Sequence, residues 1–311
     1  MNSAGAGMIG AVVKGSLLTL VLFLLYSTIP VLGAFAGVFV PFPCIYYSLK
    51  YGRLTGYAIV LLLTFSLALL NQNSLIPYLF FSATCSLALP EFLVRGKGST
   101  KALFLTVGLY ACLAAGLAIV AVTLLNINID EQMRRLIHET MSQVGETYRQ
   151  SGFSGKELQG LQDGLSLLEK AFVRLYPSFI LIMFGVIAGL NLVMLKRLSV
   201  SLGREITFDS FSQYRNPDSL VWLLILAGFT LLIDSSTVLT NIALNVLFLL
   251  YFLYFVQGVA ICCWIAKKKR YPRVLQILFY VILAVQPLLT AIVAVFGLAD
   301  LWACFRSQKI H

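Results

Sequence analysis

NINIDEQMRRLIHETMSQVGETYRQSGFSGKELQGLQDGLSLLEKAF, residues 126–172, is the only long polar stretch in this chain, and its reading decides how the rest is organised. It holds 7 of the 13 acidic residues, five basic residues and no cysteine. Asn128 followed by Glu131 forms a capping box that starts a helix. Ile129, Met133, Leu136, Ile137, Val144 and Tyr148 then recur at helical spacing. Gly152 and Gly155 break it, and Ser154 with Glu157 marks a second start. Leu158, Leu161, Leu165, Leu168, Phe172 and Leu175 follow at a 3-4-3-4-3 spacing, a narrow apolar seam. The pattern predicts a helical hairpin whose second helix leads straight into an apolar run. Its acidic balance argues against a basic helix lying on the membrane. His138 has no second ligand at metal-binding spacing, so it reads as a solvated surface residue.

Outward from this insert, both flanks are apolar. The chain is 59% hydrophobic and 12% charged, against about 25% charged in soluble domains. Apolar runs cover 8–29, 34–49, 54–70, 75–94 and 102–125 before the insert. Runs at 175–195, 219–233 and 241–266 follow it, with a last stretch at 273–305. Runs of this length read as membrane-spanning helices, and no ten-residue alternation supports a barrel. The expected fold is all-α, a polytopic helical membrane protein of about ten spans, within a range of eight to ten. Its blocks are 1–125, the extracytoplasmic hairpin 126–172, and 173–311. Pro41 and Pro43 predict either a kink or a broken helix beside a cavity, with neighbours satisfying the freed carbonyls.

The basic residues orient these runs. With the N-terminus inside, the loops at 50–53, 95–101, 196–215 and 267–273 fall on the cytoplasmic side, together with Lys14, Arg306 and Lys309. That side then carries 17 of the 23 basic residues, as the positive-inside rule requires. A turn at Gln286-Pro287 makes the last stretch two helices and keeps Arg306 inside, so ten spans are favoured over nine. The two five-span halves would then be inverted, although they share no visible sequence similarity.

The net charge of +10 is thus loop charge of a membrane protein, with no contiguous basic domain for nucleic acid. All six cysteines lie in or beside apolar runs without metal or redox spacing, and read as small buried hydrophobes. No catalytic motif or cofactor fingerprint occurs, so neither an enzyme nor a cofactor is expected. Polar residues in or at the ends of spans are costly and therefore informative: Asn71, Asn73, Asp234, Asn241, Asn245, Gln257 and Gln286. All but Gln257 map to the outer ends. Asn71, Asn73, Asp234, Asn241, Asn245 and Gln286 are the candidate site for a small ligand bound from the extracytoplasmic side, with helix capping and interfacial solvation as the competing explanation. Gly7, Ala11 and Gly15 place small residues on one face of the first helix, a contact surface for another helix. The expected partners are the lipid bilayer, a membrane subunit or second copy, and a small molecule.

The stretch Gly297-Leu-Ala-Asp300-Leu-Trp302-Ala-Cys-Phe305-Arg306 resembles the closing signature of the YybS-like family of uncharacterised multi-pass bacterial membrane proteins. Pro41-Phe-Pro43 with Arg53-Leu-Thr-Gly56 resembles its early motif, and Gln257-Gly258-Val-Ala260 its penultimate block. Where the family often has a second acidic residue near the end, this chain has Cys304, which weakens the case for a charge pair in the tail. The family is distantly similar to the substrate-binding components of energy-coupling-factor transporters. The resemblance implies a small-solute-binding transporter component in the bacterial cytoplasmic membrane, with Gly7, Ala11 and Gly15 against a partner subunit. The alternative is a scaffold or envelope assembly factor that holds a partner through 126–172.

Overall fold

The computed structural model describes residues 2–70, 72–96, 98–151, 155–203, 205–233, 236–303 and 305–306, with backbone alone at 2–6 and 30–32. Among the described residues there is no strand. In lipid a helix satisfies its own backbone, which is why long apolar runs take this form. The chain forms two compact units interleaved in sequence: 1–115 with 183–209, and 116–182 with 210–311.

The first unit opens with α1 (Asn2–Thr28), α2 (Pro30–Val38), α3 (Phe42–Tyr51) and α4 (Arg53–Leu70). After a short 3-10 turn come α5 (Leu75–Pro77), a π-helical stretch Tyr78–Ala83, and α6 (Thr84–Val94). α7 (Ser99–Thr123) follows. The run read as 34–49 is a broken helix. α2 and α3 together retrace α1: Gly33 lies against the Leu25 and Tyr26 carbonyls, Gly37 against the Tyr26 ring, and Tyr47 against Gly15. At the break, the Val38 carbonyl accepts a hydrogen bond from Asn191 Nδ2 at 2.8 Å, and the Pro41 carbonyl one from Ser86 Oγ at 3.5 Å. Side chains of neighbouring helices thus satisfy the interrupted backbone. Buried Tyr110 and Phe184 stack at 3.7 Å.

The second unit contains the hairpin. α8 (Ile129–Gln150) is capped by Asn128, whose side chain accepts from Glu131 N at 3.2 Å. The Ser154 cap lies outside the described residues. α9 (Gly155–Arg197) carries the leucine seam without interruption into the apolar run. The two helices are antiparallel: Asp130 meets Tyr176 at 2.6 Å, His138 meets Glu169 at 3.0 Å, and Leu165 covers Gly145. His138 is exposed, as expected, but paired.

α10 (Leu220–Leu232), α11 (Thr237–Lys268), α12 (Arg273–Val285) and α13 (Pro287–Ala303) complete this unit. α12 and α13 meet at Gln286 with a bend of 108°, so the last stretch is two helices. Among the described residues, six helical segments are long and apolar enough to cross a membrane, with Gln72–Val94 counted as one, or seven if the bent pair counts as one span, while α10 is shorter. α11 and α13 run parallel: Tyr251 meets Thr290, Tyr254 meets Gly297, and Gln257 meets Asp300. Their C-terminal ends therefore lie together.

Candidate functional site

Gly258 and Gly297 bring α11 and α13 into backbone contact. A Cβ on Gly258 would overlap the Val293 carbonyl, and one on Gly297 the Tyr254 carbonyl. This approach places Gln257, one residue before Gly258, opposite Asp300, one turn past Gly297. Gln257 Nε2 donates to Asp300 Oδ2 at 3.3 Å. Arg306 Nη2 donates to the same oxygen at 2.6 Å, and Phe305 N donates to Oδ1 at 3.1 Å. The side chains of Arg306 and Asp300 are 9% and 3% exposed. A buried ion pair is tolerated only when its remaining groups are bonded, and here both carboxylate oxygens and both terminal guanidinium nitrogens are. Arg306 Nη1 donates to the Tyr214 carbonyl at 2.6 Å and the Ser212 carbonyl at 3.3 Å.

The loop between α9 and α10 closes this cluster. Asn216 N donates to Gln257 Oε1 at 2.9 Å, and Asn216 Nδ2 to the Leu253 carbonyl at 2.9 Å. Tyr214 OH donates to Asn216 Oδ1 at 2.6 Å. Burial pushes the Tyr214 phenol upward, so it stays a donor. Lys267 Nζ reaches Ser212 Oγ at 3.3 Å. The tail therefore does carry a charge pair, contrary to the expectation drawn from Cys304. Arg306 finds Asp300 six residues back in the chain and needs no second acid. The arrangement is a clasp that ties the ends of α11 and α13 to residues 212–216, with its polar groups spent on one another.

The first unit holds a cavity of about 390 Å³ between the end of α3, the start of α4, α6 and Met8 of α1. Its polar lining is Ser48, Tyr51, Arg53, Tyr57 and Glu91. Gly52 turns the chain at φ +106°, a conformation side-chain-bearing residues rarely adopt. That turn opens the start of α4 toward the cavity. Glu91 is held by Arg53 Nε at 2.9 Å and by Arg95 at 3.2 Å. Ser48 is 8% exposed and its hydroxyl bonds to none of the described residues. The volume suits a small ligand.

The residues expected to form an outer-end site are placed differently from one another. Asn71 and Asp234 lie outside the described residues. Asn73 is exposed in a 3-10 turn of the first unit. Gln286 is exposed at the α12–α13 bend. Asn241 and Asn245 are half-buried and joined, Asn245 Nδ2 donating to the Asn241 carbonyl at 2.8 Å. Asn245 also bonds to α9, accepting from Ser178 N at 3.0 Å and donating to the Arg174 carbonyl at 2.8 Å. On α1, Ala11 is buried, Gly15 packs on Tyr47 and Ile59, and Gly7 faces Tyr51. This small-residue face is buried at Ala11 and Gly15, the latter beneath the chain's own α3 and α4, while Gly7 stays exposed.

A family model described as "Predicted membrane protein (DUF2232)" matches residues 17–301. The chain belongs to this family. A relative within reach of the whole length is the "Uncharacterized protein YybS" of Bacillus subtilis (strain 168), 25% identical over 317 aligned positions and 99% of each chain. No solved structure matches the chain. The DUF2232 match agrees with the resemblance read from the motifs. Those motifs fall on the two features above: Arg53 on the cavity, and Gln257, Gly258, Gly297, Asp300 and Arg306 on the clasp.

Sequence reasoning missed Asn191, which carries the same signal as Gln257, a carboxamide within an apolar run. It is fully buried, and its Oδ1 has no partner among the described residues. Ser48 and Glu91 gave no such signal, because both sit near loop ends where polar residues are ordinary.

Proposed function

We propose that this DUF2232 protein is a small-solute-binding component of a transport system in the bacterial cytoplasmic membrane, with both termini cytoplasmic. The observation that carries the reading is the cavity of about 390 Å³ beside a paired Arg53 and Glu91. A pocket of that size, in which Ser48, Tyr51, Arg53, Tyr57 and Glu91 alternate with apolar side chains, suits capture of a small molecule. The broken α2–α3 span is a feature that transporters share, and the family resemblance implies the same role. With the basic loops inside, the cavity's charged end faces the cytoplasm in this reading, so solute would be engaged from that side and not from the extracytoplasmic side expected of the outer-end residues. A partner subunit or second copy would have to use a face of α1 other than the one carrying Ala11 and Gly15.

The test is thermal unfolding of the purified protein against a panel of small metabolites. A saturable rise in melting temperature is expected, lost in Arg53→Ala. A panel with no effect, or an effect that survives Arg53→Ala, would remove the reading. Orientation is read by impermeant thiol labelling of intact cells carrying Ser142→Cys or Lys269→Cys; labelling of Lys269→Cys alone would reverse it.

A second reading has its own observation. Leu136, Leu167 and Leu168 of the polar hairpin are 54%, 67% and 51% exposed, a surface a scaffold would use to hold a partner. Changing all three to Ser should then abolish a cross-linked complex in cells; an unchanged cross-linking pattern excludes it.

A further inference from the structure

Three features of the first-unit cavity favour the same ligand charge. Arg53 and Arg95 share one carboxylate, Glu91, so the group carries a surplus positive charge. Arg53 binds Glu91 through Nε, and its two terminal nitrogens make no hydrogen bond to the described residues. Gly52, Arg53 and Leu54, at the start of the 18-residue α4, line the cavity. Gly52 N already donates to the Ser48 carbonyl and Thr55 N to the Gly52 carbonyl, so the amides this helix start offers are those of Arg53 and Leu54, at the positive end of its dipole. Ser48 adds a hydroxyl on a side chain more than nine-tenths buried, without a partner among the described residues, at the wall of the same cavity. A guanidinium fork, a helix start and a hydroxyl donor together make a phosphate site.

We propose that this cavity binds a phosphate group, held by Arg53, the first turn of α4 and Ser48, with Arg95 retaining Glu91. The proposal rests on the solute-binding reading and names its ligand class. Leu54 and Tyr57 at the rim are 71% and 48% exposed, so the rest of the ligand lies along an apolar lip. The phosphate comes either from a free phosphorylated solute or from a phospholipid headgroup.

The full chain in neutral detergent would be titrated with inorganic phosphate, glycerol 3-phosphate and short-chain phosphatidylglycerol, with chloride at matched ionic strength and neutral and cationic solutes as controls. At least one phosphate compound should raise the melting temperature saturably while chloride does not. Ser48→Ala should weaken its apparent affinity about fivefold and Arg53→Gln at least about tenfold, the scale of one lost charge-assisted bond. Arg53→Lys, which keeps the charge, should lie between wild type and Arg53→Gln, so the result does not depend on Arg53→Gln folding. Protection by glycerol 3-phosphate or phosphate assigns a free solute, and protection by phosphatidylglycerol alone assigns a lipid. If no phosphate compound acts but a neutral or cationic solute gives an Arg53-sensitive shift, the phosphate class is overturned and solute binding stands. If nothing in either group acts, both fall.

Discussion

Asn245 of α11 bonds to the backbone of α9 on both sides of Pro177. Its Oδ1 accepts from Ser178 N and its Nδ2 donates to the Arg174 carbonyl. An undistorted helix would pair those two groups with each other, since they stand four residues apart. The carboxamide thus supplies partners for backbone groups beside a proline in the helix interior, where the helix's own bonding is disturbed. Asn245→Ala should cost about 1–2 kcal/mol, the worth of buried polar contacts between membrane helices. Thermal unfolding in detergent measures it. Asn245→Asp, which keeps an acceptor but loses the donor, should retain only part of the stability.

The close approach of Gly258 and Gly297 leads to a sharper expectation. Any Cβ at either position meets backbone, which cannot rotate away. Gly258→Ala and Gly297→Ala should each cost about 3 kcal/mol or more, near the upper end for overpacking. Gly228→Ala in α10 is the control, since a Cβ there meets nothing within 4 Å. Melting temperatures of the three variants test the contrast.

Removing Arg306 leaves Asp300 charged and buried among weaker donors. Arg306→Gln should therefore destabilise by about 3 kcal/mol, as for other broken buried pairs. Adding Asp300→Asn should recover part of that loss, because the stranded charge is gone. A double-mutant cycle on unfolding gives the coupling, expected at about 1–3 kcal/mol. Additive single effects would show that the pair is not coupled.

Asp209 caps α7 from a distant loop. Its Oδ2 accepts from Thr100 N at 2.7 Å and Ser99 Oγ at 3.3 Å. The Thr100 amide bond is the main reason its carboxyl is held below the usual carboxylate range. The folded state therefore binds a proton less readily than the unfolded state. The stabilisation is complete above about pH 4, the ordinary aspartate value, and fades as the pH falls through the lowered folded value. Asp209→Asn should flatten this part of the pH–melting-temperature curve, and Asp209→Ala should cost about 1 kcal/mol at neutral pH as a lost cap.

Sequence alone was enough for the helical membrane class, the order of the apolar runs, the capped hairpin at 126–172 and the turn at Gln286. Each rests on a local signal: run length, a cap three residues from its partner, or a proline. Tertiary structure alone decided that Gln257, Asp300, Arg306 and Asn216 meet, that Asn245 bridges α9, and that Ser48 and Glu91 share a cavity. Those pairings depend on which side each helix turns toward its neighbours. In water an apolar stripe reveals that side, but lipid is as apolar as leucine. The pattern along a membrane helix therefore does not report its facing, and packing contacts such as Gly258 on Val293 set it instead.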